Sequence, residues 1–188
     1  MTSESAVERI PISLGIYSSF PAIIHGDAIF TYDVSLKVLQ ECIVQAISKI
    51  HMEKIETTLS IADRSGYFPG ETRFELRIAE GSSFRSLSAP VRRRIIEYLR
   101  DRGEFSTFDY SLTVRYRIKD DMRHSLHCDK YLVRYLFFED QMEIQLFHEK
   151  GIRRLNPDEV ITMLVKRIND ELGKRDEHQL KIDKMRAV

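Results

Sequence analysis

The sequence predicts an α+β fold, a mostly antiparallel twisted sheet with three amphipathic helices packed mainly on one face. Three observations carry this. Segments with apolar residues at every second position recur along the chain and are joined by short turns, which favours antiparallel pairing. Three longer segments carry apolar residues at three- and four-residue spacing instead, the mark of helices with one buried stripe. No Ser- or Gly-rich linker separates strands from helices, so all 188 residues are expected to form one domain, with flexible ends near 1–8 and 184–188.

The first alternating segment, Arg9 to Ile16, sets Ile10, Ile12, Leu14 and Ile16 against polar or small neighbours; Pro11 makes it an edge strand. Pro21 to Tyr32 is expected as a hairpin around His25-Gly26-Asp27, where glycine supplies the turn conformation. The first helix is expected from about Ser35 to Met52, with Leu36, Leu39, Ile43, Ala46, Ile47 and Ile50 inward and Asp33 or Ser35 as cap. Strands then follow at Ile55 to Ile61 and Phe74 to Ile78, with Asp63 to Gly70 as the loop between them.

Ser88 opens the second helix, Pro90 sits in its first turn where a missing N–H costs nothing, and Gly103 ends it. Phe105 to Lys119 is the clearest strand. Phe108, Tyr110, Leu112, Val114, Tyr116 and Ile118 occupy one face, and Asp109, Ser111, Thr113, Arg115, Arg117 and Lys119 the other. After a polar loop, Asp120 to Asp129, comes a hairpin of Lys130 to Phe138 and Met142 to His148. Asn156, Pro157 and Glu159 form a helix start of the capping-box type, Gly173 stops that helix, and Gln179 to Ile182 adds a short last strand.

Composition narrows the function classes. Twenty-nine basic residues balance twenty-nine acidic ones, so binding of nucleic acid or an anionic surface must come from a local patch. No run reaches the ~20 apolar residues of a membrane span, so no membrane partner is expected. The polar, acidic residues 1–8 lack the features of a signal peptide, and two cysteines are too few for a disulfide framework; a cytoplasmic location is expected.

Five features could carry function. Arg73, Arg77, Arg115, Arg117 and Arg134 alternate onto the polar side of neighbouring strands, where they could hold phosphates or simply face water. Arg92 and Arg93 add a basic cluster on the second helix, suited to RNA or an acidic protein. Arg64, Tyr67 and Phe68 lie in the loop before Gly70, and exposed aromatics there would be binding anchors. In the segment Lys130 to Phe138 both faces are apolar: Leu132, Leu136 and Phe138 oppose Tyr131, Val133, Tyr135 and Phe137, which is expected to bring two copies together as a homodimer. The leading expectation is therefore a non-enzymatic binding or scaffold domain that self-associates through this strand. The alternative is an RNA- or phosphate-binding module using the basic face. A third reading, a small hydrolase-like or metal-dependent enzyme, rests on His124, His127 and Cys128, whose spacing matches no common zinc frame. No Gly-rich phosphate loop or nucleophile elbow occurs, and no cofactor is expected.

Overall fold

A computed structural model describes residues 13–61, 64–101, 103–119 and 128–188. Its elements run β1 (Gly26–Thr31), α1 (Leu36–Ile50), β2 (Lys54–Ile61), β3 (Arg64–Glu80), β4 (Ser83–Ser86), α2 (Ala89–Asp101), β5 (Thr107–Ile118), β6 (Asp129–Phe137), β7 (Gln141–Lys150), α3 (Pro157–Gly173) and β8 (Lys181–Ala187). The strands form one antiparallel sheet in the order β2-β3-β5-β6-β7-β1-β8, with β4 folded back on β3. The α+β class and the antiparallel sheet match what the alternating segments predict.

Helix α1 starts where the Ser35 hydroxyl accepts the Val38 N–H, and it is buried around most of its circumference, from Leu39 through Ile50. Its polar residues on buried positions are all engaged. Gln40 bridges to the Phe105 backbone through both ends of its amide, and Glu41 accepts from Arg100 and Arg175. Helix α3 begins at Pro157 after the Asn156 N–H donates to the Glu159 carboxylate at 2.7 Å. Leu164, Val165, Ile168 and Leu172 of α3 share one core with α1, with Ile95 and Leu99 of α2, and with the even-numbered face of β5. The sheet curls far enough for α3 to touch both of its ends. Glu53, just before β2, contacts Arg167, and Phe30, Ile182 and Met185 of β1 and β8 line a cavity beside Val165 and Asn169.

Four expectations need correction. Residues 9–12 of the first expected strand lie outside the described residues, and residues 13–17 make only isolated bridges, Leu14 to Glu80 and Tyr17 to Gly81. They wedge between β3 and β5: Gly15 donates to the Ala79 carbonyl and accepts from the Asp109 N–H, at a positive φ with Phe105 and Phe108 against it. The expected hairpin at Pro21–Tyr32 is a single strand, because β1 already has β7 on one side and β8 on the other. The expected loop at 63–70 is mostly strand, since β3 starts at Arg64 and pairs with β2 as far as Arg73. Pro69 is tolerated there because β5 is ending beside it; its carbonyl still accepts the Lys119 N–H. Finally, β8 extends beyond Ile182 to Ala187, held on β1 by main-chain pairing and by Arg186 to Asp27 at 2.8 Å.

Candidate anion-binding face

Alternation along β2, β3 and β5 sorts charge to one side of the sheet. Even-numbered residues of β3 and β5 enter the core, from Phe74 to Ile78 and from Phe108 to Ile118, so the odd-numbered ones share the outer face. Cross-strand register then sets Lys54 opposite Arg73 and Arg73 opposite Arg115, three cations in one row across three strands. Neighbouring strands lie about 4.8 Å apart, and like charges so placed repel unless something intervenes. Glu71 and Glu75 flank the row. Arg77 and Arg115 both bind Glu75, at 3.0 and 3.1 Å, and Lys119 binds Glu56 at 2.5 Å. Burial alone would raise the Glu75 carboxyl, but hydrogen bonds from Arg115 and Arg77 hold it below its ordinary value. Lys54 reaches Glu71 only at 3.9 Å.

Arg73 stands apart within this row. Its guanidinium has no ion-pair partner among the described residues, and its Nε is buried without a hydrogen-bond partner. A buried N–H left unbonded costs about 1–3 kcal/mol, so the Arg73 side chain is held here without compensation from a carboxylate among the described residues. At one end of the same face Tyr67, paired with Ser60, is 79% exposed, while Phe68 turns inward against the core. Of the two aromatics read as possible anchors, only Tyr67 is available. Arg115 and Arg117 are exposed on this face, Arg117 with an interaction of its own, and the Arg64 side chain lies outside what is described.

Other candidate residues are placed elsewhere. Arg134 is not part of an open basic field: its Nε and terminal nitrogen grip both oxygens of buried Asp109 at 2.8 and 2.7 Å, the Tyr17 N–H donates to the same carboxylate, and the Phe20 ring covers the guanidinium at 4.1 Å. This clamp, with His25 stacked on Phe147, means that residues 17–25 cover the outer side of β5–β7. Asp109 and Ser111 are consequently buried although they alternate onto the polar face. Arg92 and Arg93 leave from α2, whose Ile95 and Leu99 pack into the core, so they do not join Arg73 and Arg115. The apolar strand β6 is internal, paired along both edges by β5 and β7. Leu132 is 2% exposed, Leu136 is half-buried, and Phe138, beyond the strand's end, is 53% exposed.

His124 and His127 lie outside the described residues. Cys128 is half-buried, and among the described residues no three His, Cys, Asp or Glu side chains gather as metal ligands. The neighbouring Asp129 is a buried hub. It accepts from the Tyr116 hydroxyl (2.8 Å) and from the Arg153 and Arg154 amides (2.7 and 2.8 Å), and contacts His148 Nε2 at 3.2 Å. Burial would raise its carboxyl, but these hydrogen bonds hold it below its ordinary value. Lys54 was legible as part of the basic face from the alternation Lys54-Ile55-Glu56-Thr57; the Asp109 and Asp129 hubs had no such signal, because each is assembled from distant segments. No described helix is long and apolar enough to cross a membrane. Comparison with family profiles, with curated proteins and with solved structures finds no significant match.

Proposed function

We propose that the chain is a non-enzymatic binding module that holds single-stranded RNA by its phosphates on the outer face of β2, β3 and β5. The observation that supports this best is Arg73, a half-buried guanidinium with no carboxylate partner among the described residues, set between two further cations. Guanidinium groups meet phosphate oxygens through forked hydrogen bonds, which suits this arrangement better than a lone ammonium would. Tyr67 on the same face offers one ring for a base to stack on, the device that sheet-based RNA binders use. Self-association through the outer side of β6 has less support, since that strand has no free edge and Leu132 is covered within its own chain. Catalysis through the loop before Asp129 has less again, because the Asp129 oxygens are already taken by four donors.

Fluorescence anisotropy with a labelled single-stranded RNA tests the reading. If Lys54, Arg73, Arg77 and Arg115 each displace a counterion, log K against log salt falls with a slope of about −3. Arg73→Ala should weaken binding several-fold and reduce the slope by about 0.7, without lowering thermal stability. Affinity that is flat between low and physiological salt would refute the proposal.

A further inference from the structure

Among the described residues the main path of the sheet ends at β8 and β2, with the four-residue β4 as a further short edge on β3. Strand β8 carries a register shift opposite Ile29 and Phe30, and presents Lys181 and Lys184 along its length. Bulges and edge lysines are the devices that keep another strand from adding. Strand β2 pairs with β3 without a shift from Lys54 to Ser60, its register shift falling only between Ser60 and Ile61, carries one lysine, Lys54 at its start, and contains no proline. The phase of its edge is fixed at both ends. Phe74 N–H donates to the Glu53 carbonyl, so odd-numbered residues of β2 turn their backbone groups toward β3. Even-numbered ones turn theirs outward, as the Ser60 carbonyl does when it accepts from Arg154 at 2.8 Å. Glu56 and Thr58, both exposed, thus present a short regular edge. On its core side lies a groove of about 460 Å³ between Ile55, 37% exposed, and Thr162, Met163 and Arg167 of α3.

We infer that this edge pairs with a second copy of the same chain, antiparallel, about a two-fold axis through Thr57. An axis normal to the sheet keeps side chains on their own faces, so each residue meets one of the same parity. Centred on Thr57, Lys54 lies opposite Ser60 of the second copy, Glu56 opposite Thr58, and Ile55 opposite Leu59. No like charges oppose each other, and the open part of the edge, Glu56 to Thr58, lies at the centre of the overlap, while the Ser60 carbonyl keeps its contact with Arg154. Centring on Glu56 would set two carboxylates face to face, which is unfavourable. In the Thr57 register Glu56 and Thr58 exchange hydrogen bonds with their counterparts, and Leu59 of the second copy covers exposed Ile55 at the mouth of the groove. The inference is independent of RNA binding.

Sedimentation of the full chain without RNA, over roughly 1–200 µM, tests it. The chain is expected to sediment as a dimer. Thr58→Pro should make it monomeric, lowering the melting temperature only by the association lost, a difference that shrinks on dilution, because the lost N–H points to solvent in the monomer. Thr57→Pro should lower the melting temperature at every concentration, since that N–H is turned to β3. Register is read by cross-linking in a Cys128→Ser background: Thr57→Cys chains should join on mild oxidation, because opposed non-hydrogen-bonded residues lie about 4.5 Å apart, and Glu56→Cys chains should not. A monomer at about 200 µM, or a dimer that survives Thr58→Pro, overturns the inference. So does a monomer to which an unrelated extended peptide adds, seen as new amide protection at Glu56 and Thr58.

Discussion

Replacing Asp129 by asparagine removes a charge on which β5, β7 and the segment before α3 all converge. The carboxylate receives the Tyr116 hydroxyl and two main-chain N–H groups and contacts His148, and it has no exposure to water. Each hydrogen bond to a charged group contributes about 1.5–3 kcal/mol against about 0.5–1.5 for a neutral one, so neutralisation costs roughly 1 kcal/mol per strong donor. An asparagine NH₂ must also face at least one of these donors, orphaning it at a further 1–3 kcal/mol or so. The sum is about 4–6 kcal/mol, a large part of a typical 5–15 kcal/mol stability. For a chain of this size that is a fall of about 8–24 °C in melting temperature, at roughly 2–4 °C per kcal/mol.

Urea unfolding and calorimetry at pH 7 would measure it. The sign of the pH dependence follows from the depressed carboxyl. A group whose folded pKa lies below its unfolded value stabilises above the unfolded pKa, about 3.9 for aspartate, and that stabilisation is lost as pH falls through the folded value. The gap between wild type and Asp129→Asn should therefore close in strong acid. A variant within about 1 kcal/mol of wild type at pH 7, or a gap that persists unchanged at low pH, would refute the hub.

Tyr110 and Tyr135 place their hydroxyls 2.8 Å apart inside the core, and burial raises both phenols above their ordinary range. Either Phe substitution should cost about 1–3 kcal/mol by stranding the other hydroxyl, and the double variant less than either, since neither hydroxyl is then left unpaired, read as coupling in a double-mutant cycle of urea curves. Glu75→Gln should release Arg77 and Arg115 from their shared carboxylate, tightening RNA binding in the anisotropy assay; unchanged affinity would mean those arginines do not touch the ligand.

Sequence pattern alone located the helices and the strands of strictest alternation because the physics there is local. Phe108 to Ile118 can bury one face in only one way, and Pro157 with Glu159 can start a helix with no help from the rest of the chain. Failures came where a distant segment decided the outcome. Pro69 read as loop, yet it pairs with Thr58 of β2 and its carbonyl accepts the Lys119 N–H, while Gly66 takes a positive φ at the register shift beside Ser60. Asp109 and Arg134 read as solvated polar residues until residues 17–20 close over them. The basic row was partly legible, since Arg73 and Arg115 each stand out by parity. Their direct opposition was not, because register across β3 and β5 is set by a pairing about forty residues apart.

The position of β1 bears on how the chain is made. It is the first strand to leave the ribosome among those described, yet its neighbours β7 and β8 begin at Gln141 and Lys181. At about 5–20 residues per second of synthesis, Gly26–Thr31 waits several seconds to tens of seconds before either flank can be protected, with the apolar side of α1 emerging directly behind it. Chaperone binding to the nascent chain should accordingly concentrate on residues 26–50 and end only when the last strand has cleared the exit tunnel.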